Sequence, residues 1–170
     1  TLQSVARHIE SDSFRIRFSG DCAGTVWSAI LKNIYAIGLG ILTNQSKTNN
    51  NFIAAYLTKT LAEMAALVVS VGGQRETVYY LSGLGDVLTT SLSTSSHNRT
   101  CGSLLAQGKT VEEVEDEMHV LPEGIYALNA ALYLAEKGSL CLPIASGIND
   151  FIHQKKDLRT LCDYILRSAV

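Results

Sequence analysis

Gly24 to Leu42 reads GTVWSAILKNIYAIGLGIL, and Lys32 is the only charged side chain between Cys22 and Ser46. Asn33 stands next to it. An ammonium buried without a partner is costly, so a lysine in such surroundings has either a partner or a job. The segment is helix-length. Gly24, Ser28, Ala29, Lys32, Ala36 and Gly40 fall on one face, while Ile30, Ile34, Ile37 and Ile41 place large side chains on others. Lys32 therefore stands on a stripe of small residues, which suits close helix packing or room for a ligand. The segment is also long enough to span a bilayer. Lys32 and Asn33 at its centre, where charge is most expensive, argue instead for a buried helix of a soluble protein.

The rest of the chain agrees. Hydrophobic residues make up 46% and charged residues 18% of 170, with two prolines and few aromatics. That suits one well-buried, helical unit and excludes a disordered chain. A net charge of −2 gives no electrostatic sign of a nucleic-acid or membrane partner. Cys22, Cys101, Cys141 and Cys162 are widely spaced without a CxxC, and read as reduced, mostly buried thiols of a cytoplasmic protein. Thr1–Glu10 lacks the apolar core of a signal peptide. The absence of an initiator methionine points to a piece of a longer protein.

Leu2, Val5, Ala6 and Ile9 have helical spacing, and Phe14-Arg15-Ile16-Arg17-Phe18 alternates as a strand does. A lone strand before a run of helices predicts a remnant of a preceding α/β domain over residues 1–20, with the helical domain at 21–170. After a polar break at Asn44–Asn51, Phe52–Val71 reads as a second long apolar helix ended by Gly72-Gly73. Lys59 and Glu63, four apart, read as a pair on an exposed strip. A short turn over Glu76–Leu81 and a glycine corner, Ser82-Gly83-Leu84-Gly85-Asp86, come next. Thr89–Ser96 reads as a hydroxyl-rich loop and Gly102–Gln107 as helix. Thr110 and Glu113 form a capping box for a helix to about Met118. Helices over Ile125–Lys137, from Pro143 through Phe151, and from Asp157 complete the chain.

Three groups can carry chemistry. Lys32 with Asn33 is an acid–base candidate or a structural ion pair. Asp86 either caps a helix or orients Lys32 or a substrate hydroxyl. The hydroxyls of Thr89–Ser96 with His97, Asn98 and Arg99 either hold a phosphate or form a solvated link. No metal-ligand spacing joins His8, His97, His119 and His153, and no GxGxxG follows a strand.

Taken in order, Ala29-Ile30-Leu31-Lys32-Asn33-Ile34, Gly72-Gly73-Gln74-Arg75-Glu76-Thr77, Ser82-Gly83-Leu84-Gly85-Asp86, Thr90, Ser96-His97-Asn98-Arg99, Glu123-Gly124 and Pro143-Ile144 resemble the NAD(P)-dependent glycerol-3-phosphate dehydrogenase family. The resemblance covers essentially the whole chain. It implies an all-α, multi-helix substrate domain of the kind found at the C-terminus of 6-phosphogluconate dehydrogenase. A short helix and strand from a preceding Rossmann domain would stand in front of it. It implies a bacterial, cytoplasmic oxidoreductase that interconverts dihydroxyacetone phosphate and sn-glycerol 3-phosphate with NAD or NADP, supplying a phospholipid precursor. The cofactor would be bound mainly by the missing N-terminal domain.

By that resemblance Lys32 is the proton donor in ketone reduction, with Asp86 beside it. Asn33, Thr90, Ser96, His97, Asn98 and Arg99 hold the three-carbon phosphorylated substrate. His97, Leu121 and Glu123 line the cofactor side, and the small-residue stripe leaves space for substrate and nicotinamide. A homodimer is allowed; nucleic acid, membrane and metal are not expected. One departure stands out: His97 occupies the place of a family arginine, whose bidentate fork imidazole lacks. Val26 and Trp27-Ser28 depart as well. These changes leave a degenerate, non-catalytic domain, or a related dehydrogenase with another substrate, as the alternative.

Overall fold

The structure is a computed structural model and describes residues 2–44, 49–93, 95–153 and 157–167. Ten helices are described. They are α1 (Leu2–Ile9), α2 (Cys22–Thr43), α3 (Asn50–Ser70), α4 (Arg75–Val78), α5 (Asp86–Leu92), α6 (His97–Ala106), α7 (Val111–Met118), α8 (Glu123–Gly138), α9 (Pro143–Ile152) and α10 (Leu158–Arg167). A five-residue π-helical turn, Leu81–Gly85, leads into α5.

The helix α2 is the axis. It packs against α3, α4, α5, α6, α8 and α9. Leu31, Ile34, Ile37 and Ile41 are fully buried along it, at the centre of an apolar core to which α3, α6, α8, α9 and α10 also contribute. Both α2 and α3 are long and apolar enough to cross a bilayer, and two thirds of the apolar window of α2 is buried within the protein.

Asp21 sets the start of α2. One carboxylate oxygen accepts from the Gly24 N–H at 2.8 Å; the other accepts from the Thr77 hydroxyl at 2.6 Å and the Gln74 N–H at 2.8 Å. These donors, Thr77 foremost, hold the Asp21 carboxyl below its ordinary range. Asp21 thus caps α2 and ties it to the turn after α3, where Gly72 takes the left-handed conformation (φ +85°).

The stripe of small residues is used for packing more than for space. Gly24, Ser28, Ala36 and Gly40 are all buried, and only Ala29 and Lys32 on that face stay partly open. A methyl group on Gly40 would lie 2.1 Å from the Arg99 carbonyl oxygen, and one on Gly102 would lie 2.0 Å from that of Ile37. The backbones of α2 and α6 therefore touch. Gly102→Ala is expected to destabilise the chain by about 2 kcal/mol, because backbone must move to admit the methyl. The denaturation midpoint of this variant checks that value.

Several expectations are corrected. Residues 14–18 form no strand, and no strand occurs among the described residues. Alternation alone does not make one, because a strand needs a neighbour for its N–H and C=O groups. Here the Ile16 N–H goes instead to the Glu10 carboxylate at 3.0 Å, and Phe14 and Phe18 are about half exposed. The stretch read as a hydroxyl-rich loop is helical through Leu92, where Thr89 and Ser91 donate back to the carbonyls of Gly85 and Val87. Helix α6 begins at His97 rather than Gly102 because Ser96 caps it. Only Cys101 of the four free cysteines is buried; Cys22 and Cys141 lie at or just outside helix ends and are exposed.

Glu63 does not pair with Lys59 on an exposed strip. It is buried, 7% exposed. Its carboxylate accepts from the Tyr35 hydroxyl at 3.1 Å and from the N–H groups of Ile144 and Ala145. Pro143 opens α9, so the following N–H groups lack partners in their own helix. Glu63 supplies them from α3. Lys59 instead reaches the Leu166 carbonyl at 3.4 Å.

Candidate functional site

Lys32 projects from the one part of its stripe that neighbouring helices leave partly uncovered. Its Nζ donates to Asp86 Oδ1 at 2.8 Å, and the two side chains are 22% and 30% exposed. Asp86 is fixed by the π-helical turn before it. Within that turn, a methyl on Gly83 would lie 2.0 Å from the Val78 carbonyl oxygen, so only glycine lets the chain fold so tightly. Turns of this kind recur at functional sites because they redirect one side chain out of register. Asp86 is then the first residue of α5, and half-buried Thr90 follows one helical turn later on the same face.

Asn33 joins three helices. Its Nδ2 donates to Glu123 Oε2 at 3.3 Å, and its Oδ1 accepts from Asn98 Nδ2 at 3.1 Å. Asn98 Oδ1 in turn accepts from the Gly124 N–H at 2.9 Å. The start of α6 and the start of α8 are thereby bonded to α2 one residue from Lys32. Gly124 is required for this closeness, since a methyl there would lie 2.6 Å from both the Asn33 carbonyl oxygen and Asn98 Oδ1. Sequence reading places Asn33, Asn98 and Glu123 at the site and quotes Gly124 only within a family motif; the bonds between them come from the fold alone.

Ser96 caps α6, with its Oγ accepting from the Arg99 N–H at 3.4 Å. His97 is exposed in the first turn. Leu121 is half-buried and Glu123 exposed at the mouth of α8. Two hydrogen-bonded sets, Lys32 with Asp86 and Asn33 with Asn98 and Glu123, thus meet at consecutive positions of α2. Arg99 is directed elsewhere: its Nη1 donates to the carbonyls of Ser91 at 2.7 Å and Ser93 at 2.6 Å.

Chemically, the group offers an ammonium held by a carboxylate, two carboxamides, and a helix start that presents N–H groups and a positive dipole end. That set can protonate an oxygen at one end and hold an anionic group at the other.

The model of the NAD-dependent glycerol-3-phosphate dehydrogenase C-terminus matches residues 21–163. This chain belongs to that family. It is the family's all-α C-terminal domain. The matched segment opens on Asp21, the residue that caps α2. The chain is 37% identical over 145 residues to a glycerol-3-phosphate dehydrogenase (NAD(P)+) of Fusobacterium nucleatum, covering 85% of this chain and 43% of that one. It is 37% identical over 148 residues to one of Acaryochloris marina, covering 87% and 47%. The solved glycerol-3-phosphate dehydrogenase of Coxiella burnetii superposes with a TM-score of 0.88 at 29% identity, covering 98% of this chain and 51% of that one. The chain spans about half the length of the curated relatives it matches.

Proposed function

We propose that this dehydrogenase domain is the substrate-binding and proton-donating half of an enzyme that interconverts dihydroxyacetone phosphate and sn-glycerol 3-phosphate. The observation that carries this reading is the Lys32–Asp86 contact of 2.8 Å on a partly open face of an otherwise apolar helix. The names of the relatives support it. In the reduction, Lys32 gives one proton to the substrate's carbonyl oxygen as the carbonyl carbon receives a hydride. The product is the secondary alcohol. In the reverse direction the neutral amine takes that proton back. Asp86 holds Nζ in place, so that one N–H is spent on the carboxylate and the others face the substrate. Ser96, His97 and Asn98, at the start of α6, take the phosphate end, where the helix dipole favours an anion.

The hydride comes from a nicotinamide cofactor. The residues present fit its reacting end: Glu123 can accept from a carboxamide or ribose hydroxyl, and Leu121 offers an apolar edge. The sequence has no glycine-rich strand–turn–helix to cradle its phosphates. Residues 1–20 are assigned to the cofactor-binding half, and the choice of NAD or NADP is made in that half. The reading extends to a cytoplasmic enzyme that acts on a small phosphorylated ketone for phospholipid precursor supply.

The test is to assay the complete protein carrying this chain with NAD(P)H and dihydroxyacetone phosphate, beside unphosphorylated dihydroxyacetone. Reduction of the phosphorylated ketone, with the other much poorer, is expected. No reduction of either contradicts the reading. His97 gives a second measurement, because imidazole lacks the fork of a guanidinium. His97→Arg is expected to lower the KM for dihydroxyacetone phosphate about tenfold, the worth of one charge-assisted hydrogen bond. Phosphate binding seen only in the His97→Arg protein would favour a domain that has lost its activity.

A further inference from the structure

We infer that Arg99 is a positioning residue that fixes α5 against α6 and so sets the spacing between the Lys32–Asp86 pair and the phosphate end of the site. The inference rests on the proposed function, and it departs from the expectation that Arg99 touches substrate. Three observations carry it. First, both hydrogen bonds of Arg99 Nη1 go to main-chain carbonyls, those of Ser91 and Ser93, at 2.7 and 2.6 Å. These lie at the C-terminal end of α5, where carbonyls lack helical partners and the dipole favours a cation. Second, the main chain of Arg99 is packed directly against α2, its carbonyl oxygen abutting Gly40 with no room for a methyl group between them. Third, its Nε is buried without a partner among the described residues. Turning the side chain toward a substrate phosphate would break both carbonyl contacts.

Helix α5 is therefore held at both ends. Asp86 is bound to Lys32 at its start, and Arg99 grips its end. Ser93 lies seven positions after Asp86, about 10 Å along the helix axis. Both grips refer back to α2, one through Lys32 and one through Gly40. Asp86 and Thr90 lie along the span, and Ser96, His97 and Asn98 follow directly after it. Freeing its far end lets both halves of the site drift relative to each other, and displacements of about 1 Å cost catalysis on the order of a hundredfold.

The test compares Arg99→Ala and Arg99→Lys with wild type in the complete protein, using dihydroxyacetone phosphate and dihydroxyacetone, with rates normalised to folded protein. Arg99→Ala is expected to lower kcat for dihydroxyacetone phosphate at least tenfold, because the phosphate end no longer holds the carbonyl at the right distance from Lys32, and to change the rate with dihydroxyacetone, which has no phosphate to anchor, much less. Arg99→Lys recovers part of the loss, since an ammonium also donates to two carbonyls. A rise in KM for dihydroxyacetone phosphate at unchanged kcat makes Arg99 a phosphate ligand and overturns the inference. Unchanged kcat and KM per folded site overturn it too, leaving Arg99 a purely structural residue.

Amide hydrogen exchange on the complete protein reads the same clamp without turnover. Faster exchange across residues 91–100 in Arg99→Ala, with α3 unchanged, is expected, and equal exchange overturns the inference. Wild-type protein that reduces neither ketone defeats the proposed function, while the exchange result still decides whether Arg99 is a clamp.

Discussion

Lys32→Ala in the complete protein lowers kcat for ketone reduction by roughly 10²–10⁴-fold, the range by which a positioned acid accelerates proton transfer. KM for dihydroxyacetone phosphate is expected to change far less, since the proposed function gives the phosphate end to α6 and not to Nζ. Asp86→Asn is milder. The amide oxygen still accepts from Nζ at the observed 2.8 Å separation, but the charge that anchors the ammonium is gone. The decay of reduced-cofactor absorbance under saturating substrate measures both. A Lys32→Ala protein with unchanged kcat and a large rise in KM would make Lys32 a binding residue instead.

Glu63→Ala destabilises the chain by about 3–5 kcal/mol at pH 5, because it strands two buried N–H groups and a buried hydroxyl and leaves a cavity. The cost is smaller at pH 8, and the reason lies in where Glu63 titrates. Burial pushes its carboxyl up from 4.5 to about 7, against the downward pull of the Ile144 and Ala145 N–H groups and the Tyr35 hydroxyl. The folded chain therefore holds a proton between pH 4.5 and 7 that the unfolded chain has released. The stability from this group is complete below about pH 4.5 and is lost as pH rises through 7, an amount on the order of 3 kcal/mol. Glu63→Gln keeps an acceptor for the N–H groups and removes the titration. Urea denaturation of wild type from pH 5 to 8 is expected to show falling stability, and Glu63→Gln a flatter profile. Equal slopes in the two proteins would place Glu63's proton affinity near its ordinary value.

The contrast between these residues shows what can be read from a sequence. Lys32 was conspicuous because one charge in an apolar helix has few explanations, and the spacing of Asp86, Asn98 and Glu123 after it narrowed them further. The bounds of α2, the capping box of α7 and the proline start of α9 follow from local chemistry, which a sequence carries in full. Glu63 was hidden because local spacing offered a ready partner in Lys59, while its real partners are Tyr35, 28 residues before it, and the Ile144 and Ala145 N–H groups, more than 80 residues after it. The unpaired N–H groups after Pro143 were the only hint. The alternation of Phe14, Ile16 and Phe18 misled because a strand depends on a neighbour that the described residues do not contain. The small-residue stripe was ambiguous for the same reason: glycine marks close approach, and only the fold shows that helix α6 makes it.

The proton-donor role of Lys32 is tested most directly by single-turnover reduction of dihydroxyacetone phosphate in Lys32→Ala, with and without added methylammonium. The expected result is a hydride-transfer rate at least a hundredfold below wild type that rises with amine concentration. A Lys32→Ala protein that reduces the ketone at the wild-type rate without any amine would contradict it.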